Sequence, residues 1–206
     1  MKTTLNCQSC QGFISFSGKD SDTVVCDQCR THNKIHAGVT GSAVVSGTLV
    51  QNNTRIKFNQ KLKVKDEVYR VIGLQQLYFK AGYSNYWYLD PSKNQSAYLE
   101  ESFDSYYVFQ PLHVDLNPLL NPGHHVGKVY SLPDYGKMMF TAIQKIEFTA
   151  EAGELKMIGD FSQDGFVLEA VNMNRHTALL RFFIFKDKTV FGFVGEKVSY
   201  KTMTDL

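Results

Sequence analysis

What this chain of 206 residues has little of narrows its chemistry early. It holds four cysteines, five prolines and one tryptophan, and its 22 basic residues nearly balance its 20 acidic ones, leaving a formal net charge of +2. Near-neutrality provides no global field to draw the chain to nucleic acid or to an anionic membrane. No run of eighteen apolar residues occurs, so no segment reads as a transmembrane helix. Gly-x-Ser-x-Gly and Ser-x-x-Lys are both missing, and no cysteine lies outside two short pairs, so the familiar nucleophile patterns are absent. Gly192-Phe193-Val194-Gly195-Glu196-Lys197 lacks the loop length of a phosphate-binding motif and reads as a glycine-bearing strand with a bulge. Met1 to Asn6 leave no room for an apolar signal-peptide core before the first cysteine, which makes cytoplasmic the expected location.

What is present begins near the N-terminus. Cys7-Gln8-Ser9-Cys10 and Cys26-Asp27-Gln28-Cys29 are separated by fifteen residues. Each Cys-x-x-Cys turn aims two thiolates at one point, and two such turns supply the four tetrahedral sulfur ligands that zinc prefers. The spacing predicts a zinc ribbon over residues 1–37, with Cys7, Cys10, Cys26 and Cys29 holding a structural Zn²⁺. Four thiolates fill the shell, whereas a catalytic zinc keeps one position open. Phe13, Ile14 and Phe16, the turn-rich Ser17 to Asp22, and Thr23 to Val25 read as a hairpin joining the two knuckles. Of the competing readings, disulfides would need an oxidising compartment, and a redox motif would want one Cys-x-x-Cys at a helix start in a βαβ unit. A ribbon this short cannot bury enough apolar surface to fold without its metal.

Residues 38–206 read as a β-rich body. Short segments rich in β-branched and aromatic residues, separated by Asn, Gly, Ser, Asp or Pro, predict strands at 42–50, 61–64, 68–72, 76–79, 86–89, 97–99, 106–109, 144–150, 155–158, 165–171, 178–185 and 190–194. Met139, Ile143 and Ile146 also fit one face of a short helix, but Phe140, Ala142, Ile146 and Phe148 fit a strand equally well, and the stretch reads as strand. Leu180 to Phe185 is apolar on both faces, which suits a central strand. Asn117-Pro118-Leu119-Leu120-Asn121-Pro122-Gly123 marks a sub-domain break or a long connection near 117–123. The expected class is mainly β: the ribbon, then a barrel- or sandwich-like body of antiparallel strands in meander order.

His32, His36, His113, His124, His125 and His176 lack the spacing of a second metal site, and Glu100-Glu101 and Asp90 read as solvated turn residues rather than acids for catalysis. Aromatics crowd between Tyr83 and Phe109. Trp87 reads as a core anchor, while Tyr83, Tyr86, Tyr106 and Tyr107 are candidate positions for contact with a partner. Only Lys93 interrupts that stretch, against the interleaved cations of a base-stacking face. Arg55, Lys57, Lys61, Lys63, Lys65 and Arg70 form a basic stretch that fits a phosphate face or a solvated strand surface.

Tyr69-Arg70-Val71-Ile72-Gly73, Trp87-Tyr88-Leu89, Tyr98-Leu99-Glu100 and Gly153-Glu154-Leu155, in that order after a ribbon, resemble family 4178 among the domains of unknown function. The likeness runs from about Lys61 to Val171. Tyr88 stands where the family more often has an acid, Leu155-Lys156 where a proline is common, and a Phe-rich hairpin replaces its closing segment. The resemblance implies a β-rich, non-enzymatic module, often preceded by a zinc ribbon and encoded near an aminopropyltransferase of polyamine synthesis, small membrane proteins and envelope-stress components. It carries no catalytic residues over. The reading that follows is a non-catalytic binding or adaptor protein with a protein partner, an accessory of a polyamine- or membrane-stress-linked system. A nucleic-acid-binding ribbon protein is the alternative, and an enzyme working through scattered residues the third.

Overall fold

The computed structural model describes residues 3–17, 20–35, 45–50, 54–91, 95–102, 105–120, 123–156, 164–174 and 179–204. Its strands are β1 (Thr3–Asn6), β2 (Phe13–Phe16), β3 (Thr23–Val25), β4 (His32–Lys34), β5 (Lys61–Val64), β6 (Glu67–Phe79), β7 (Gly82–Pro91), β8 (Ala97–Ser102), β9 (Ser105–Pro111), β10 (Val129–Leu132), β11 (Gly136–Ile146), β12 (Phe148–Leu155), β13 (Gly165–Asn172), β14 (Leu179–Phe185) and β15 (Val190–Val198). A 3-10 turn at Asn117–Leu120 and a short helix α1 (Tyr200–Thr204) complete the described elements.

The large sheet closes on itself. β13, β14, β15, β9, β8, β7 and β6 follow one another by antiparallel pairing. At the two ends of that run stand β11, paired with β13, and β12, paired with β6, and only Glu147 separates β11 from β12. The stretch 136–155 is therefore one bent stave that joins both ends, giving an antiparallel barrel whose alternation buries every second side chain inside. Tyr86, Tyr88, Tyr98, Phe109, Val167, Phe183, Phe185 and Phe193 fill that interior together with Ile72, Leu77, Ile146 and Leu155. The opposite faces are also covered. Trp87, Leu89, Leu99 and Val108 lie beneath Ile56, β5 and Met203 of α1, while Phe140, Leu168, Leu180 and Phe182 lie beneath Leu112, Leu119 and Leu132. This second layer is why Leu180 to Phe185 is apolar on both faces.

Polar groups enter the barrel as one linked set, in which Arg181 Nε and Nη1 make no hydrogen bond among the described residues. Arg181 and Glu100 point inward from β14 and β8, 5 % and 3 % exposed, with Arg181 Nη2 donating to Glu100 Oε2 at 3.1 Å and Nη1 lying 3.2 Å from Glu169 Oε2. Tyr86 donates its hydroxyl to Glu100 at 3.1 Å, and the guanidinium lies over the Phe109 ring at 5.4 Å. Burial raises the Glu100 carboxyl above its usual range, with Arg181 opposing. Glu101, the next residue, faces the other side and accepts from Thr54, Asn85, Trp87 Nε1 and Tyr106. The expectation that Glu100-Glu101 is a solvated turn is thus corrected: the two diverge, as adjacent strand residues must, but both anchor hydrogen bonds within the fold. Asp90 lies inside β7, paired with Arg70 at 2.9 Å.

Several strand expectations change in detail. The segments 68–72 and 76–79 are one thirteen-residue strand with a register shift between Val71 and Gly73. Met139, Ile143 and Ile146 lie in β11, in keeping with the strand reading of that stretch. Residues 46–50 form no ladder; Val45 makes one bridge to Thr31, and 42–44 lie outside the described residues. Leu155 ends β12, and 157–158 are outside the described residues. The segments carrying the family resemblance are neighbours: Gly153, Gly73, Tyr88 and Tyr98 stand in one row across β12, β6, β7 and β8. A Cβ at Gly73 would fall 1.9 Å from the Glu154 carbonyl oxygen, and one at Gly153 would fall 2.4 Å from that of Ile72, so glycine is obligatory at both.

Candidate metal centre and adjoining groove

The two Cys-x-x-Cys segments fold alike. Cys7 donates its N–H to Gly12 and accepts from Gln11, while Cys26 donates to Thr31 and accepts from Arg30. Gln11 and Arg30, each just past the second cysteine of its pair, both adopt φ 61°, a left-handed conformation uncommon outside glycine. That twist turns the following amides back toward sulfur: Gly12 onto Cys10 and Thr31 onto Cys29, with Ser9 and Cys10 onto Cys7. Each knuckle is the turn of its own hairpin, β1–β2 and β3–β4. The expectation of a single hairpin from Phe13 to Val25 linking the knuckles is corrected here: β2 pairs with β1, and β3 pairs with β4 and β12. The residues between the knuckles connect two hairpins instead of closing one.

Cys7, Cys10, Cys26 and Cys29 are free thiols whose sulfurs all lie within 4.8 Å of one another. Cys7 and Cys29 are 3.5 Å apart, and Cys10 and Cys26 3.7 Å. Four sulfurs about 2.3 Å from a central ion would stand roughly 3.8 Å from each other, close to the two shorter separations here, so the cluster is compatible with a tetrahedral metal. Disulfide sulfurs would stand at about 2.05 Å. The proton distribution points the same way. The Thr31 hydroxyl and amide bring the Cys29 thiol down to about 6. Cys10 is pushed up to about 12: the Gly12 amide favours its thiolate, but the Cys29 sulfur, burial and the remaining two sulfurs outweigh it. Such a crowd of sulfur reaches full ionisation only around a cation.

Residues that sequence reasoning did not single out hold the centre in place. Asn33, fully buried, accepts the Gln8 N–H at 2.8 Å and donates to the Thr31 carbonyl at 2.8 Å, tying the first knuckle to the second hairpin. Glu151 of β12, 2 % exposed, accepts from the Ser46 hydroxyl at 2.9 Å and from Gln75 at 3.4 Å, and lies 3.4 Å from His32 Nε2. Arg30 donates to the Glu151 carbonyl. Burial works to raise the Glu151 carboxyl, but His32, Thr149 and Ser46 outweigh it and hold the group below its ordinary value. No spacing in the sequence links residues 30–46 to 151; only the pairing of β3 with β12 brings them together.

Between the first hairpin and the barrel runs a groove of about 670 Å³, lined by Phe13–Ser17, Val24–Gln28, Phe58, Asn59, Arg70, Ile72 and Ala152–Glu154. Phe13 is 87 % exposed at its edge, and Phe58, 42 % exposed, packs edge-on against Trp87 with ring centroids 5.7 Å apart. Trp87 itself is buried, as a core anchor should be.

The four tyrosines singled out for a partner separate. Tyr86 lies inside the barrel and Tyr106 is buried against Glu101, so neither offers a surface, while Tyr83 and Tyr107 are half-buried. The basic stretch also disperses: Arg55 stacks over Tyr200, Lys65 pairs with Glu196 at 2.7 Å, and Arg70 pairs with Asp90. Among the described residues the four cysteines form the single cluster that could hold a metal ion; His36 and His176 lie outside them. Among the described residues, no helix is long and apolar enough to cross a membrane. Compared with family models, curated proteins and solved structures, the chain matches none.

Proposed function

We propose that this protein is a zinc-clamped, non-catalytic binding protein that engages a protein partner through the region where its N-terminal hairpins meet the barrel. The observation that carries this reading is the closed set of four converging sulfurs at the base of a hairpin whose Phe13 projects into solvent beside a groove. A four-thiolate set suits soft ions, zinc foremost, and leaves no position for a substrate or an activated water. Free thiols suit a reducing compartment. Protein is favoured over nucleic acid because half of the basic stretch is already engaged by Glu196, Asp90 and Tyr200. If the resemblance to family 4178 holds, the partner would belong to a polyamine- or membrane-stress-linked system.

The test combines metal analysis with titration of RNA and DNA at low and moderate salt. One zinc per chain and no salt-sensitive nucleic-acid binding below about micromolar is the expected result. A metal-free protein, or tight binding weakened by charge reversal at Lys57, Lys61 and Lys63, would overturn the reading.

A further inference from the structure

The edge of β2 has a direction. Among the described residues β2 pairs only with β1, with Leu5 opposite Ile14 and Thr3 opposite Phe16. Antiparallel pairs alternate between those that exchange hydrogen bonds and those that do not. Because Cys7 donates to Gly12, the alternation makes Leu5–Ile14 and Thr3–Phe16 the bonded pairs and turns the N–H and C=O of Phe13 and Ser15 outward. Ser17 comes next in that alternation and reports where the outward edge faces: its N–H donates to the Glu154 carboxylate of β12 at 2.9 Å, across the groove. At Ser17 the edge is therefore already satisfied by the barrel. At Phe13 and Ser15 the main chain makes no hydrogen bond to any other described residue, and it opens onto a trough of mixed polarity whose lining includes Ile72, Ala152 and Phe58.

The charge of the trough selects among occupants. Among the described residues Asp27, Glu154 and Arg70 are its charged lining groups, and Arg70 is paired with Asp90 at 2.9 Å, so carboxylates predominate in this lining. Cys26 also lines it, and four thiolates around a divalent ion would carry a net double negative charge. A nucleic-acid backbone is repelled by such a surface. A second copy of this chain is a poor occupant too, because the edge it would present, Phe13-Ile14-Ser15-Phe16, carries no cation.

We propose that the groove captures an extended segment of a partner protein, alternating basic and apolar residues, which adds as a third strand to the β1–β2 hairpin along Phe13 and Ser15. This rests on the reading of the protein as a zinc-clamped protein binder and names the class of segment it takes. Main-chain hydrogen bonds supply the affinity, as in other strand-addition complexes, while Phe13, Phe58 and the acidic lining choose the side chains. At about 3.4 Å per residue the four residues of β2 offer an edge for roughly four residues of ligand.

The probe is a fluorescent, end-capped octapeptide of alternating Lys and Val, titrated by anisotropy against the metal-loaded full chain. Saturable binding below about 1 mM is expected, with the Glu-Val counterpart and a version N-methylated at alternate amides each about tenfold weaker or more. Ser15→Pro removes an outward N–H that the fold does not use, a substitution edge strands accept, and it should abolish binding while zinc content and thermal unfolding stay as in the wild type. Equal affinity for the Glu-Val or N-methylated peptide, or no binding of the Lys-Val peptide, overturns the proposal without needing any variant. So does concentration-dependent dimerisation abolished by Ser15→Pro, which would assign the edge to a second copy. Zinc content, measured on the same samples, separates failure of the groove from failure of the metal-clamp reading, since a zinc-loaded chain that ignores the peptide sinks only the former.

Discussion

The two hairpins at the N-terminus and the barrel that follows are both β-structure, yet they are held by different physics. Besides its two cysteines, the small cluster between the hairpins has only Ile14 and Val24 fully buried. The barrel buries three interlocking apolar clusters and can lodge a guanidinium and carboxylates among them. What the contrast teaches is that secondary structure alone says nothing of where stability resides. On the proposed reading the hairpins rest on a metal held by the four clustered sulfurs and on a few buried hydrogen bonds, whereas the barrel rests on area removed from water.

The sharpest way to break this comparison is to withdraw the metal. Chelation or Cys26→Ser should abolish amide protection over 3–35 while β6 to β15 keep theirs, read by hydrogen exchange, because structural four-cysteine sites carry about 10 kcal/mol or more of their module's folding free energy. Simultaneous loss of protection in the barrel would show that the two regions form one cooperative unit. Arg181→Met attacks the other side. It strands Glu100 in the interior and should cost about 3–5 kcal/mol in denaturant unfolding, with much of the loss recovered when Glu100→Met accompanies it. If the single and double variants are equally unstable, the pair is not the balanced unit described.

A smaller effect lies at the seam. Because Glu151 is held below its ordinary value in the folded protein, its contribution is present at neutral pH and is lost as pH falls through that lowered value, below the usual carboxylate range. Glu100 acts in the opposite sense, since burial raises it and mild acid relieves the strain of keeping it ionised. Acid should therefore loosen the junction between β3–β4 and β12 before the barrel. Glu151→Gln should cost about 1–3 kcal/mol at neutral pH and flatten that dependence when compared at equal bound metal. The least effect is expected of Phe13→Ala, under about 0.5 kcal/mol, because an 87 % exposed side chain leaves little packing to lose. A larger loss would move Phe13 from a recognition residue to a structural one.

The four sulfur ligands were legible because the chemistry is local: two cysteines three apart converge on one point wherever they occur. The body was legible as strands for a similar reason, since turn residues punctuate it and the apolar content between them is high. What could not be read were relations across long stretches of chain. Tyr86 and Tyr106 look alike on the page, and both proved buried only because β5, α1 and the ring of strands cover the two faces of β7 and β9. Likewise, β10, the first half of β11 and the pairing of the knuckle strands depend on partners far away in sequence. Glu151 and Asn33 carry no motif at all, and their roles come from being where two regions meet.

The bent stave from Gly136 to Leu155 has a consequence for how the molecule is made. β15, the last described strand, pairs with β9 as well as with β14, so Val198 meets Tyr106 only after most of the chain exists. Contacts so remote in sequence are slow to form, because the entropy of closing long loops must be met before any of them is rewarded. During synthesis the meander from β6 to β9 would emerge early with β9 bare along one side, waiting for a strand that arrives near the end. Chains terminated before residue 190 should therefore aggregate through that uncovered side rather than populate a smaller barrel.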